Sequence, residues 1–352
     1  MLSIIIPTYN MERFLHKCLD SLIVSDGNMK RLEVLVVNDG SKDSSSQIAH
    51  EYEKNYPNTF KVIDKENGNY GSCINRGLKE ASGKYIKVLD ADDSYDTKVF
   101  DEYISYLSSS DADLVVSDFN IVDENGNLLK HVNFHVPTSG FFSIGDISRD
   151  DRMYLWHHAV AYKTDNVRSI NYRQTEGISY TDEEWVFKPM ITVHTALYFP
   201  SVVYLYLRGR EGQTYDPAVL KKTYNQILVV NKSILSFYAT EIVNLTNTDI
   251  FFFLHESICA RMFTMYRHYL FDQEDDDGYA AIKDYDLYMK EVCPSLYSEL
   301  DSMLFKPKIK YHYIRRWRRV DYDQADISLK LFRAFCKIID NLRGLNRNKK
   351  AI

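Results

Sequence analysis

The sequence predicts an α/β fold, a mostly parallel sheet flanked by helices over residues 1–215, followed by a helical C-terminal domain over residues 216–352. Three observations carry this. The first ninety or so residues alternate short, wholly apolar runs with amphipathic segments, the pattern of buried parallel strands joined by helices. After Asp216-Pro217 the texture is helical to the end. The 352 residues are 45% hydrophobic and 26% charged, an ordinary globular composition and length enough for about two domains.

Leu2–Pro7 is the first strand. Asn10 is placed to cap a helix on which Phe14, Leu15, Cys18, Leu19 and Leu22 recur at helical spacing. Leu32–Asn38 is a second buried strand, and Gly40–Ser46 a polar turn that opens the next helix. Phe60–Ile63 is a third, weaker strand. Ser72–Ala81 is a helix ended by Ser82-Gly83, and Tyr85–Leu89 is a fourth strand that runs into Asp90-Ala91-Asp92-Asp93. Leu114–Ser117 continues the strands, and Asn125-Gly126 marks a hairpin. Asp182–Val193 reads as helix and Ala196–Leu207 as strand. Candidate helices then cover Ala218–Tyr238, Asp249–Leu270, Tyr279–Val292 and Ala325–Leu345. On the last, Ile327, Leu331, Phe335, Ile338, Leu342 and Leu345 share a face, which predicts packing on its own domain or on a second subunit as a homo-oligomer.

No apolar run reaches the length of a membrane span, and the start lacks a basic region before its apolar run, so the expectation is a cytoplasmic protein. Cys18, Cys73, Cys259, Cys293 and Cys336 are scattered without a CxxC pair, which predicts reduced thiols. From Lys306 onward there are 14 Lys+Arg against 4 Asp+Glu, a surplus of +10, which leaves −16 for the preceding residues out of the overall −6. Within that basic tail Arg315-Arg316-Trp317-Arg318-Arg319 suits a peripheral contact with an anionic membrane face. Nothing accompanies it that would mark a nucleic-acid-binding fold.

The chemistry gathers where strands end. In an open parallel sheet the ligand crevice lies at the carboxyl ends of the strands. Asp90 and Asp92 alternate there, and paired carboxylates suit Mn²⁺ or Mg²⁺ bridged to phosphate oxygens. Asp39, at the end of the second strand, can accept from a ribose hydroxyl or a base N–H, or cap the next helix. Pro7-Thr8-Tyr9, ending the first strand, can line a base pocket. No GxGxxG follows the first strand and no GxxxxGK[ST] is present, which argues against dinucleotide and P-loop sites.

Four segments in order resemble the opening of family 2 glycosyltransferases: Ser3-Ile-Ile-Ile-Pro-Thr-Tyr-Asn10, Val36-Val-Asn-Asp-Gly-Ser41, Asn69-Tyr-Gly-Ser-Cys-Ile-Asn-Arg-Gly77 and Val88-Leu-Asp-Ala-Asp-Asp93. The resemblance implies a GT-A (Rossmann-like) fold. It implies that Pro7, Thr8, Tyr9, Asp39, Asn69, Arg76, Asp90 and Ala91 line the nucleotide, and that Asp90 and Asp92 hold the metal. Tyr180-Thr-Asp-Glu-Glu-Trp185 is similar to the family's acidic motif, with Thr181-Asp182 where Glu-Asp is usual. By that register Asp182 is the catalytic base and Glu183 the alternative. Tyr206-Leu-Arg-Gly-Arg-Glu-Gly-Gln-Thr214 resembles a loop that closes over the diphosphate, which nominates Arg208 and Arg210, the latter better placed. The resemblance also implies that His157 and His158, after Trp156, lie beside the acceptor, and each reads as a satisfied core or surface histidine. The expected reaction is inverting transfer from a nucleotide sugar, UDP-linked, to an acceptor hydroxyl on a carbohydrate or lipid-linked saccharide. Two alternatives remain at this point, a sugar-phosphate nucleotidylyltransferase and a non-catalytic nucleotide-sugar-binding protein. Pro7–Asn10 has neither the Gly nor the Arg that the first needs.

Overall fold

A computed structural model describes residues 1–153, 155–210, 213, 217–272, 276–304 and 311–348. Glu211, Gly212, Thr214 and the anticipated boundary at residues 215–216 lie outside these, as do the side chains of Leu342 and Leu345. The chain forms two compact units, Met1–Ile234 with Asn244–Leu254, and Leu235–Val243 with His255–Ile352.

The first unit opens with β1 (Leu2–Thr8), α1 (Glu12–Asp20), α2 (Asp26–Met29), β2 (Leu32–Asn38), α3 (Ser45–Asn55), β3 (Phe60–Asp64), α4 (Asn69–Glu80) and β4 (Tyr85–Val88). These strands are parallel in the order β3-β2-β1-β4. Ile4, Ile5, Ile6 and the run Val34–Val37 are wholly buried, as apolar strands covered on both faces must be. Thr8 pairs with Asn38 at the end of the β1–β2 ladder, and Ile5 with Val88 on the other side of β1. The connections after β1, β2 and β4 therefore leave along one edge, carrying Tyr9, Asp39 and Asp90.

The rest of the unit comprises β5 (Ser94–Tyr95), α5 (Thr97–Ser109), β6 (Leu114–Val122), β7 (Leu128–Val132), α6 (Arg149–Arg152), β8 (Val160–Lys163), α7 (Thr164–Ser169), α8 (Asp182–Phe187) and β9 (Ala196–Leu207). β8 is antiparallel to both β4 and β6, and β9 runs parallel to β6. The sheet is thus mixed, in the order β3-β2-β1-β4-β8-β6-β9-β5, with β7 on β6.

Several local expectations change. Asn10 adopts φ +54° and caps nothing; its side chain accepts from the Lys42 N–H and ties the first loop to the second. α4 begins at Asn69, three residues ahead of the anticipated start. α8 ends at Phe187, just before Pro189, which has no N–H to continue the ladder. α5 was not anticipated, although Asp96 caps it by accepting from the Val99 N–H and Phe100, Tyr103, Ile104 and Leu107 form its buried face.

α9 (Pro217–Phe237) and α10 (Thr248–Arg267) contribute residues to both units. The second unit further contains α11 (Asp276–Val292), α12 (Pro294–Leu300), α13 (Tyr313–Arg319) and α14 (Ile327–Asn348). Its core includes Tyr266, Tyr269, Tyr285, Tyr313 and Trp317.

Trp317 and Arg318 overturn the membrane patch expected on residues 315–319. Trp317 is 0% exposed and sits edge-on to Tyr266 and Tyr322. Arg318 is held 2.6 Å from buried Asp286, which also accepts from the Tyr266 and Tyr322 hydroxyls. Arg316 is paired with Asp326. A buried carboxylate needs a buried cation, and that need draws Arg318 inward with the indole beside it. Only Arg315, Arg316 and Arg319 face solvent.

α14 does not pack its anticipated apolar face on its own unit. Leu329, Phe332 and Cys336 are its buried residues, whereas Ile327, Leu331, Phe335 and Ile338, expected to pack on its own domain or on a second subunit, are 75, 67, 45 and 59% exposed. The helix has apolar residues on two faces, and the shorter row is the one that packs.

Candidate active site

At the carboxyl edge of β1–β3 lies a cleft of about 540 Å³ lined by Tyr9, Asn38, Gly40, Lys42, Asp64, Lys65, Glu66 and Asn67. That volume suits a small-molecule ligand. Tyr9 presents a ring 45% exposed. Asp39 lies beneath, 2% exposed. Its two carboxylate oxygens accept from the Gly68 and Asn69 N–H groups at 2.9 and 2.8 Å, and Lys65 Nζ lies 2.5 Å away. Asp39 thus caps α4 from a distance, supplying an anion where helix N–H groups lack intrahelical partners. Asn69 has φ +66°, a conformation asparagine tolerates better than most residues.

The loop after β4 carries three aspartates with different surroundings. Asp90 accepts from the Tyr70 hydroxyl at 3.0 Å and from His157 Nε2 at 3.1 Å. Burial opposes its ionisation, but His157, Tyr70 and Arg210 outweigh burial and hold its pKa below the usual carboxylate range. Asp92 is 2.6 Å from Arg210 Nε, whose guanidinium also lies over the Phe14 ring. Burial, then the Asp90 charge, pushes the Asp92 carboxyl up. Asp93 is buried and accepts from the Tyr204 hydroxyl and the Leu207 N–H, both at 2.6 Å. Burial and its two acidic neighbours push it well up.

One oxygen from each of the three lies within 4.8 Å of the others. Crowded carboxylates whose ionisation burial resists, offering only oxygen donors, form a set that a hard divalent cation suits. Asp93 is closed off from solvent, whereas Asp90 and Asp92 are half-buried and engaged by Tyr70 and His157 and by Arg210.

His157 joins this cluster to α8. Its Nε2 faces Asp90, and its Nδ1 lies 3.8 Å from Asp182 Oδ2. Burial disfavours its charged form, yet Asp90 and Asp182 together raise its pKa above the ordinary histidine value. His158 behaves oppositely. Burial, then His157 and Lys87, lowers it well below that value, and its ring stacks on Tyr206 with centroids 4.4 Å apart. Lys87 Nζ, inside the sheet, donates to the His158 and Val160 carbonyls at 2.5 and 3.2 Å.

The three acids that open α8 divide by environment. Asp182 is about one-third exposed and reaches His157. Glu183 is half-buried. Glu184 is fully buried, accepts from the Thr175 N–H and from the Thr175 and Ser233 hydroxyls, and pairs with Lys188 at 2.6 Å. The segment leading to α8 crosses α4 at Gly71, where a Cβ would stand 1.9 Å from the Thr175 carbonyl oxygen. Only glycine allows that approach.

The structure therefore gathers Asp90, Asp92, Asp182 and Arg210 around His157, with Ala91 buried between the aspartates. Pro7 and buried Thr8 lead into Tyr9 at the cleft. Arg208 is exposed, its N–H donating to the Val122 carbonyl. Arg76 is not gathered; it is exposed on α4 and pairs with Glu80 one turn on. Sequence reasoning read His157 as a structural histidine, where it faces both Asp90 and Asp182, and passed over Tyr70, Tyr204 and Lys65. The adjacent His157-His158 pair was the one visible signal.

Residues 3–170 match the family described as Glycosyl transferase family 2. They form a family 2 glycosyltransferase domain. The domain and its surroundings are 29% identical over 215 residues to the uncharacterized glycosyltransferase YibD of Escherichia coli K12, across 58% of this chain and 60% of that one. They are 29% identical over 171 residues to the minor teichoic acid biosynthesis protein GgaB of Bacillus subtilis 168, across 48% of this chain and 19% of that one. The chain thus spans less than two thirds of either relative. The glycosyltransferase fold extends further than the sequence match. The crystal structure of S. aureus TarS 1–349 in complex with UDP-GlcNAc matches with TM-score 0.67 at 21% identity, over 91% of this chain and 89% of that one. The glycosyltransferase domain therefore has the GT-A fold.

Proposed function

We propose that this chain transfers a sugar, with inversion, from a UDP-linked donor to a hydroxyl of a carbohydrate or lipid-linked saccharide acceptor in surface-polysaccharide or glycoconjugate synthesis. The observation that carries the reading is the line Asp182–His157–Asp90, with Asp92 and Arg210 beside it. It puts a one-third-exposed carboxylate next to a cation-suited acidic pair, which is what single displacement at a sugar phosphate requires. TarS, which shares the fold, was solved with UDP-GlcNAc, and GgaB is named for teichoic acid biosynthesis; both support the choice of donor and product class.

In this reading Asp182 accepts the acceptor's hydroxyl proton as that oxygen bonds to the anomeric carbon. The bond from that carbon to the diphosphate breaks, and the electron pair leaves with the nucleotide. Arg210 stabilises the charge that accumulates there. Asp90 and Asp92 would hold Mn²⁺ or Mg²⁺, which supplies Lewis-acid neutralisation of the diphosphate. Tyr9 stacks on the base, with Pro7, Thr8, Asp39, Asn69 and Ala91 shaping the pocket around the nucleotide. Glu183, which the register left as alternative base, is not the acid that reaches His157.

The test is UDP release from a panel of UDP-sugars by the purified chain, with Mn²⁺ and with EDTA. Asp92→Asn should lose turnover and metal-dependent UDP binding. Full activity of Asp92→Asn or of wild type in EDTA overturns the metal assignment. Failure of every UDP-sugar, with turnover of another nucleotide sugar, overturns the donor.

A further inference from the structure

α14 has two apolar rows, and only one is packed. Leu329, Phe332 and Cys336 are buried in the second unit, where the Phe332 ring lies 5.6 Å from Phe271 and 4.3 Å from Tyr311. Ile327, Leu331, Phe335 and Ile338 form the other row, each close to half exposed or more. At helical rise they make a stripe roughly 16 Å long, and exposed Ala334 lies within it. Contiguous apolar surface of this kind marks an interaction site, whereas scattered exposed leucines do not.

The charges around the stripe narrow what it meets. Lys330 and Lys337 are exposed and one heptad apart, so they border the stripe along one edge. The stretch Ile327–Ile338 contains no Asp or Glu. We propose that this face of α14 docks the protein on an anionic phospholipid bilayer. The four apolar side chains enter the boundary between headgroups and acyl chains, and the two lysines meet lipid phosphates from the edge. The charge pattern favours this occupant over a second copy of the chain. A two-fold pairing lays the stripe on itself and brings lysines from both copies to its borders, where neither helix offers a carboxylate across this stretch. Lipid phosphates supply the opposite sign. Four apolar residues and two lysines make a modest anchor, so attachment is reversible and weakens with salt. This inference does not depend on the transfer chemistry.

The test uses the full chain, with flotation on phosphatidylcholine vesicles and on vesicles that also contain phosphatidylglycerol, at low and high salt. Sedimentation velocity on the same protein runs alongside. Binding should require phosphatidylglycerol and fall at high salt. Leu331→Glu/Phe335→Glu should abolish it while keeping the wild-type melting temperature, since both side chains are exposed. Lys330→Ser should weaken partitioning roughly fivefold, as should Lys337→Ser. Three results overturn the proposal: unchanged flotation of the Leu331→Glu/Phe335→Glu variant, equal binding to neutral vesicles, or no flotation together with a wild-type dimer that this variant splits.

Discussion

Glu184→Gln removes a charge that the first unit has surrounded on every side. The carboxylate is fully buried and engages Thr175, Lys188 and Ser233. The amide keeps one acceptor but turns an NH₂ donor toward groups that are themselves donors. Lys188, 7% exposed, then keeps its charge without the carboxylate at 2.6 Å. Breaking one side of a buried pair costs about 3–5 kcal/mol. For a unit of this size each kcal/mol moves the melting point by about 2–4 °C, so the drop should be about 6–20 °C. Thermal unfolding and urea titration measure it directly. Asp182→Asn, on a half-buried residue one turn's edge away, should stay within about 1 kcal/mol of wild type. Joint replacement, Glu184→Leu with Lys188→Met, should recover much of the loss because no unpaired charge is left behind. The reasoning is refuted if Glu184→Gln melts within about 2 °C of wild type, or if Asp182→Asn is destabilised as much.

Asp182→Asn should lower kcat by about 10²–10⁴-fold and leave the donor KM nearly unchanged, and a mild Asp182→Asn beside a severe Glu183→Gln would move the base by one residue. His157→Asn should lower kcat by about 10–100-fold with the fold intact, because it removes the link that orients Asp182 and Asp90 together; wild-type kcat would reduce His157 to filler. Lys87 gives a pH signature. Burial pushes its ammonium down to about 7, while in the unfolded chain it keeps its proton to ~10.4. Between those values the unfolded state holds the extra proton, so this group makes stability rise with pH, by up to about 1.4 kcal/mol per unit. The urea midpoint of wild type relative to Lys87→Met should therefore increase from pH 7 to 8.5, and a constant difference would count against an ammonium buried there.

The parallel half of the sheet was legible because a strand covered on both faces is a continuous apolar run, and Leu2–Thr8 and Leu32–Asn38 are such runs. Asp39 and Asp90 were legible as residues because they follow the apolar strands Leu32–Asn38 and Tyr85–Val88. Their partners were not. Lys65 and Asn69 reach Asp39 across the loop after β3, and His157 reaches Asp90 from 67 positions away. His157 gets there because β8 enters antiparallel between β4 and β6, and a four-residue strand carries no sign of its direction. Arg76 was misjudged from motif position alone, because exposure on α4 depends on which side faces the sheet. The exposed stripe of α14 was legible only as an apolar face, because helical periodicity does not say whether its own unit or another partner covers it.

Gly71 sets a limit on redesign. The segment through Thr175 leads to α8 and so to Asp182, the base of the proposed reaction, and it rests against α4 through a contact that tolerates a hydrogen atom and no methyl. A mutant library meant to change acceptor choice can vary Ile178, while Gly177 and Tyr180, at φ +81° and +65°, and Glu176, bonded to Asn75, hold the segment's shape. It cannot vary position 71 without lifting that whole segment away from α4, so selections that include this position will return glycine or broken folds. Position 71 is best held fixed, and diversity spent on the side chains that glycine allows to come close.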